Sequence, residues 1–425
     1  MTTPAPAVEP VLPLDAGPAK APKGYLPGVS FASFGVYLAL LTPVMVAMAF
    51  KIQHVDPENA VSSLGLVLGV GAFFALVANP LFGRLSDRSM SRFGRRRPYI
   101  VGGALIGALA LTVIGFAESV TVILVAWCVA QAGFNATLSA VIATLPDQVA
   151  PAGRGKVSGM IGIATPIAIL AGSLVANAFQ SDVLRFVVPA AIGLVAAIAF
   201  ALVLDDKPRQ TPPAEKFSAK EFFGSFVFNP RKHRDFAWTW LTKFLVMFGY
   251  AGIATYLPFY LTDRFELAEA EATSVIVLAN MASVAMMMIS SPLGGILSDK
   301  IGKRRPFVAI AGGIMVVGLL LLVVAPTVTV LIVAQAIIGL GAGAFLSVDQ
   351  ALATQVLPNP DEAAKDLGVL NIANALPQSL APAMAPAVIG FGTAIGVGGY
   401  QTWYLFGALV ALAGAVLVYR IKGVK

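Results

Sequence analysis

The sequence predicts an all-α membrane protein, with twelve transmembrane helices in two pseudo-symmetric six-helix bundles. Three observations predict it. First, 57% of the 425 residues are hydrophobic and 12% are charged, against roughly 25% charged in soluble domains, and mean hydropathy is +0.82. So few charges cannot cover a soluble surface of this size. Second, the apolar residues fall into runs of about the 20 residues needed to cross a bilayer core of about 30 Å. Third, the second half of the chain repeats words of the first at the same place among the runs.

The expected spans, in order, are 29–50, 61–86, 98–117, 120–145, 155–179, 184–204, 236–262, 272–297, 306–325, 328–354, 366–390 and 399–420. Pro98, Pro151, Pro306 and Pro326 stand at span edges, where a helix begins without losing a bond. Prolines and glycines inside runs are tolerated because neighbouring helices satisfy the freed backbone groups. Residues 1–28 are rich in proline and lack the apolar core of a signal peptide, so they read as a disordered cytoplasmic tail. The loop at 205–235 divides six spans from six, giving bundles at 29–204 and 236–425. Its aromatic stretch from Phe217 to Phe228 is either an amphipathic surface helix or a plain linker.

Lysine and arginine set the orientation. With the N-terminus inside, the inner segments carry 25 of them and the outer loops only Lys51, Arg185 and Arg264, with Lys243 inside a span. Both termini are therefore expected to be cytoplasmic, and the short loops suit a bacterial inner membrane. The net charge of +7 lies in these loops, which argues against a nucleic-acid partner. Cys128 is the one cysteine, and His54 and His233 sit in different loops, so no disulfide or metal site is expected. No phosphate loop or nucleophile elbow appears. Neither enzyme chemistry nor direct ATP drive is expected, and no cofactor.

The repeated words are specific. Residues 79–87 read NPLFGRLSD and 291–299 read SPLGGILSD, with six identities in nine; GRRRPYIVGG follows at 94 and GKRRPFVAIAGG at 302. Each word bridges the second span of its half to the third. Two like-oriented halves are the mark of alternating-access transporters. The first copy offers Gly83, Asp87, Arg88, Gly94, Arg95, Arg96 and Arg97, and the second Gly295, Asp299, Lys300, Gly302, Lys303, Arg304 and Arg305.

On these residues the chain resembles the major facilitator superfamily over essentially all twelve spans. The longer first loop with its GRRRP word looks like the glycoside/cation symporter and sucrose-transporter branches. The resemblance implies a gating role for Gly83, Asp87, Arg88, Arg95, Gly295, Asp299 and Arg304, with Asp147 at the end of helix four as partner. A carboxylate at Asp87 or Asp299 suits the positive end of a facing helix. The alternative is that these charges only fix topology.

The resemblance also implies that helices one, four, seven and ten line a central cavity. Helix four carries Trp127, Gln131 and Asn135 at steps of four, a stacking face beside amides of the kind a sugar needs, or else packing between helices. Helix seven carries Lys243, Tyr250, Tyr256 and Tyr260; Lys243 is a substrate ligand or snorkels, and the last two tyrosines are ligands or interface anchors. Gln335 in helix ten and Asn371, Asn374 and Gln378 along one face of helix eleven complete the candidate substrate residues. Asp349, in helix ten, is either a proton-coupling acid or a gate acid paired with Lys303 to Arg305. Helix one carries no acid, which removes the coupling acids that melibiose- and sucrose-type symporters place there.

The expected function is secondary transport of a small polar solute, sugar or glycoside-like, coupled to a proton or sodium ion, by a chain acting as a monomer in the bilayer. Proton-linked efflux and uncoupled diffusion are the alternatives. Helix five reads GMIGIATPIAILAG and lacks the paired glycines that follow Gly-Pro in the antiporters of the family.

Overall fold

A chain crossing a hydrocarbon core must satisfy its backbone N–H and C=O groups within each crossing, and here every run does so as a helix. The computed structural model describes residues 22–208, 228–357 and 363–423, with no strand among them. The helices are α1 Tyr25–Val55, α2 Ala60–Asp87, α3 Arg97–Phe116, α4 Val120–Gln148, α5 Pro151–Ala178, α6 Asp182–Val203, α7 Arg234–Arg264, α8 Glu269–Ile301, α9 Arg304–Val324, α10 Val328–Ala353, α11 Ala363–Ala394 and α12 Gly399–Leu417. Eleven of the described helices are long and apolar enough to cross a membrane. In the place of the eleventh expected span, α11 runs for 32 residues through Pro377, Pro382 and Pro386. Helix α1 begins at Tyr25, inside the expected tail; residues 1–21 and most of the aromatic stretch of the 205–235 loop lie outside the described residues.

The duplication is visible in the packing. In the first half α1 packs on α6 and α5, α4 on α2 and α3, and α3 on α6; in the second half α7 packs on α12 and α11, α10 on α8 and α9, and α9 on α12. Each pair recurs six helices on. One contact shows the register. A methyl on Gly83 would stand 3.8 Å from Ser139 Cβ, and one on Gly295 2.8 Å from Ser347 Oγ. In a membrane, where lipid is as apolar as leucine, such small residues let helix backbones approach. Large apolar side chains such as Phe73, Leu109, Leu202, Ile296 and Val324 are instead exposed around the outside, as a lipid-facing surface requires.

Helix α1 is not uniform. Residues Pro43–Ala47 form a turn of π-helix in its middle, the wider turn that a proline or a local insertion imposes on an α-helix. At its far end the loop to α2 is tied down by Asp56, which accepts from Ser63 Oγ at 2.7 Å and Asn59 Nδ2 at 3.1 Å. These bonds hold the Asp56 carboxyl below its usual pKa range.

The bundles meet along two seams. On one, α2 lies against α11 at glycines: a Cβ on Gly65 would stand 2.6 Å from Pro386 Cγ and 2.7 Å from the Pro382 carbonyl, and one on Gly69 2.9 Å from Ala383 Cβ. On the other, α5 lies against α8, with Asn280 Nδ2 donating to Ser173 Oγ at 2.6 Å.

Candidate functional site

The first copy of the repeated loop builds a closed ionic cluster around Arg96. Its guanidinium, 3% exposed, pairs with Asp87, donates to Ser86 Oγ at 2.6 Å and reaches Asp147 Oδ2 at 3.1 Å. Arg95 adds a 2.7 Å contact to the same Asp147 oxygen. Asp147, at the end of α4, thus contacts both arginines. Arg88 also makes an interaction.

Among the described residues Asp299 makes no bond to a helix N-terminus of the other bundle, and Asp87 makes an interaction beyond its pairing with Arg96. Instead Asp206, after α6, accepts from the backbone N–H groups of Arg96 at 2.6 Å and Arg97 at 2.8 Å. It caps the positive start of α3 within its own bundle. Its proximity to the GRRRP word is not readable from a position 109 and 110 residues away.

The second copy is simpler. Asp299 pairs with Arg304 at 2.9 Å in an exposed bridge, and Arg305 Nη1 donates to the Ile421 carbonyl at 2.6 Å. Asp147 lies 51 residues past Arg96; at the same distance past Arg304 stands Gln355, so the second half has no acid at the matching position.

Asp349 has a different partner from Lys303 to Arg305. Its carboxylate lies 2.9 Å from Lys243 Nζ, on α7. Asp349 is 1% exposed and Lys243 7%. The two are in contact as a buried ion pair, and Thr242 Oγ1, beside Lys243 in sequence, is without a partner. A charge buried at this depth persists only with a counter-charge, and each of these two residues supplies the other's.

The remaining candidates divide into two groups. Trp127, Gln131 and Asn135 are buried inside the first bundle. The Trp127 indole covers Gly71 of α2, where a Cβ would stand 2.2 Å away. Asn135 donates to the Gln131 carbonyl and side-chain oxygens at 2.8 and 3.1 Å and accepts from Asn79 of α2 at 3.4 Å. Tyr256 is buried and donates to the Pro382 carbonyl at 2.9 Å, and Tyr260 to the Leu322 carbonyl at 2.8 Å. Both are tied into packing rather than held at a membrane interface. Gln335 is buried in α10. By contrast Asn371 and Gln378 are exposed and Asn374 and Tyr250 half-exposed. Polar side chains in a crossing face water or protein rather than lipid, and three of these lie on one face of α11.

At the end of the molecule opposite the basic loops the two bundles are joined by charges that no sequence motif marks. Arg185, at the start of α6, pairs with Glu269, the first residue of α8. His54 Nδ1 lies 3.1 Å from Asp182 Oδ2 and His54 Nε2 3.1 Å from Glu269 Oε2. Lys51 Nζ lies 3.5 Å from Asp182. The readable signal was modest: acids in the first turns of two helices, where the helix dipole favours them, with two of the three outer-loop cations beside them. No group of three or more metal-ligating side chains occurs among the described residues.

Comparison with known proteins completes the description. The family profile described as Major Facilitator Superfamily matches residues 27–293 and 278–424. Sucrose transport protein SUT1 of Oryza sativa subsp. japonica is 36% identical over 93 residues, 22% of this chain and 15% of that protein, so the chain aligns with less than a sixth of that relative's length. The cis,cis-muconate transport protein of Acinetobacter baylyi is 22% identical over 401 residues, 91% of this chain and 92% of that one. Among solved structures, nucleoside transporter NupG superposes with a TM-score of 0.69 at 15% identity, covering 93% of this chain and 98% of that one. An inward-facing bacterial homolog of the human lysosomal transporter Spinster superposes with a TM-score of 0.70 at 17% identity, covering 94% and 96%. At these identities the structural likeness speaks to the fold.

Proposed function

The chain belongs to the major facilitator superfamily, and from that premise we propose that it moves a small polar solute by alternating access, with a proton carried on the Lys243–Asp349 pair. It is a membrane-spanning transporter of small solutes and not an enzyme. The basic end is the cytoplasmic one, on the 25 to 3 distribution of lysine and arginine. A bacterial inner membrane and a monomeric protein suit the short loops.

The observation that carries the coupling is the buried pair itself. Lys243 and Asp349 touch at 2.9 Å, and both are buried. Protonation of Asp349 would remove the counter-charge that Lys243 needs, so proton binding and the arrangement of α7 against α10 are linked. Helix α1 has no acid to serve instead.

The solute path runs beside the amide face of α11, Asn371, Asn374 and Gln378, with Tyr250 two turns along α7 from Lys243. Trp127, Gln131 and Asn135 brace α4 against α2. Amides suit the hydroxyl groups of a sugar or glycoside-like solute, in keeping with the partial likeness to sucrose transport proteins. A second reading has its own observation: Lys243 is a buried cation one proton away from losing its counter-charge, which suits a carboxylate-bearing solute, and the relative aligned over most of the chain is a muconate transport protein. In both readings the Arg96 cluster and the Asp299–Arg304 bridge act as gates at the basic end.

The test is uptake into proteoliposomes from a panel of sugars and organic acids under imposed proton and sodium gradients. Accumulation driven by a proton gradient, lost in Asp349→Asn while exchange persists, is expected. Accumulation retained by Asp349→Asn would overturn the coupling role.

A further inference from the structure

Arg185, His54 and Glu269 belong to none of the motifs above, yet they make the ionic contacts between the bundles at the end opposite the basic loops. Arg185 is fully buried and held by its own bundle. Its Nε donates to the carbonyls of Ala176 at 3.0 Å and Phe179 at 2.8 Å, and Nη2 to Gln180 Oε1 at 2.9 Å. Its guanidinium lies 5.3 Å from the centre of the Phe50 ring. Only Nη1 crosses to the other bundle, to Glu269. When the bundles part there, Arg185 keeps three hydrogen bonds and its aromatic contact. Parting of the bundles admits water to the freed Nη1, so the cation exchanges Glu269 for solvent while the rest of its guanidinium stays bonded, and the crossing bond can break and reform without leaving an unsolvated buried charge. Glu269 keeps the positive N-terminus of α8. A contact that merely glued the halves would not need one partner to be satisfied in advance.

The neighbours share this layout. His54 lies between Asp182 of its own bundle and Glu269 of the other, and a ring with a carboxylate at each nitrogen is fully bonded only when both nitrogens donate. Lys51 is fixed within the first bundle by the Gly115 carbonyl at 3.0 Å. Next along the α5–α8 seam, Asn177 Oδ1 accepts from Thr273 and Ser274 at 3.0 Å each.

We propose that Arg185, with His54, forms a reusable latch on Glu269 that shuts the end of the pathway opposite the basic loops, and that this latch sets the fraction of time that end stays closed. The inference rests on alternating access but not on proton coupling at Asp349.

The test needs no solute. Ser379, in the α2–α11 seam, is buried and its hydroxyl has no partner. Ser379→Cys, in a Cys128→Ser background, is a reporter for opening of the seam. Protein in lipid nanodiscs is reacted with a water-soluble maleimide. Glu269→Gln removes the latch acid and is expected to raise the labelling rate about tenfold, the scale of one lost charge-assisted bond. Glu271→Gln is the control, because Glu271 accepts from the backbone of Ala268 in its own helix and should leave the rate unchanged. Equal rates for Glu269→Gln and its parent overturn the latch. An equal rise for Glu271→Gln also overturns it, since the effect would then be general loosening of α8. Proton coupling is read separately, by gradient-driven uptake.

Discussion

Replacing Asp349 by asparagine leaves the Lys243 ammonium inside the protein without the carboxylate that lies 2.9 Å away. With Lys243 7% exposed and Asp349 1%, neither charge can turn to solvent in place. Breaking a buried pair by removing one partner costs about 3–5 kcal/mol. The lower end, about 3 kcal/mol, is expected here, because asparagine keeps the shape of the carboxylate and an oxygen that still accepts from the ammonium. Lys243→Met alone should cost a similar amount, for it strands the carboxylate. The double variant Lys243→Met/Asp349→Leu should fall within about 1 kcal/mol of the parent, because apolar replacement of both partners removes the desolvation cost as well as the attraction. The assay is a double-mutant cycle closed by the singles Lys243→Met and Asp349→Leu, read by equilibrium unfolding of purified protein in mixed micelles, with an expected coupling of about 3 kcal/mol or more. If each single variant costs under about 1 kcal/mol, or if the double variant loses the sum of the two, the pair is not the mutually dependent unit that the coupling mechanism requires.

Other perturbations follow from the same geometry. Arg96→Ala, which removes one partner each from Asp87, Ser86 and Asp147, should lower unfolding stability by about 2–4 kcal/mol, whereas Arg304→Ala, which breaks one exposed bridge, should cost under about 1 kcal/mol; thermal unfolding of the two side by side tests this. Gly65→Leu forces a side chain against Pro386 and the Pro382 carbonyl, and should speed maleimide labelling of Ser379→Cys by wedging the seam open. An unchanged rate would mean that α2 and α11 part there without resistance. Gln378→Ala should weaken solute uptake about two- to tenfold in KM, the scale of one hydrogen bond, while Gln131→Ala should leave KM unchanged and lower stability.

The sequence foretold the crossings and the duplicated loop because those are local properties: a run of about 20 apolar residues is legible wherever it lies, and the words at 79 and 291 align by eye. Pairings across distance were not legible. Lys243 and Asp349 sit on helices three apart in the chain, and no periodicity says that their depths coincide. Spacing by four placed Trp127, Gln131 and Asn135 on one face of α4, but the identity of the facing helix is a tertiary fact, and that helix is α2 with Gly71 beneath the indole. The position of Tyr256 and Tyr260 near a helix end suggests interface residues; the rings of Trp403, Tyr400 and Tyr404 on α12 and the carbonyls of Pro382 and Leu322 hold both inside the bundle instead. The ionic group at the opposite end has no local signature, because it gathers Lys51 and His54 from α1, Asp182 and Arg185 from α6 and Glu269 from α8, none of which is unusual in its own segment.

The wide turn at Pro43–Ala47 has a consequence for how α1 can be altered. Successive residues of an α-helix are offset by about 100°, so the angular phase of Lys51 and His54 depends on how many residues that turn contains. Deleting one residue there would convert it to ordinary helix and swing the tip of α1 by about a quarter of a rotation, carrying the imidazole away from both carboxylates while every residue of the network remained in the chain. The insertion thus behaves as a phase setting for the far end of the helix, and its length, more than its composition, is what a chain of this design must preserve.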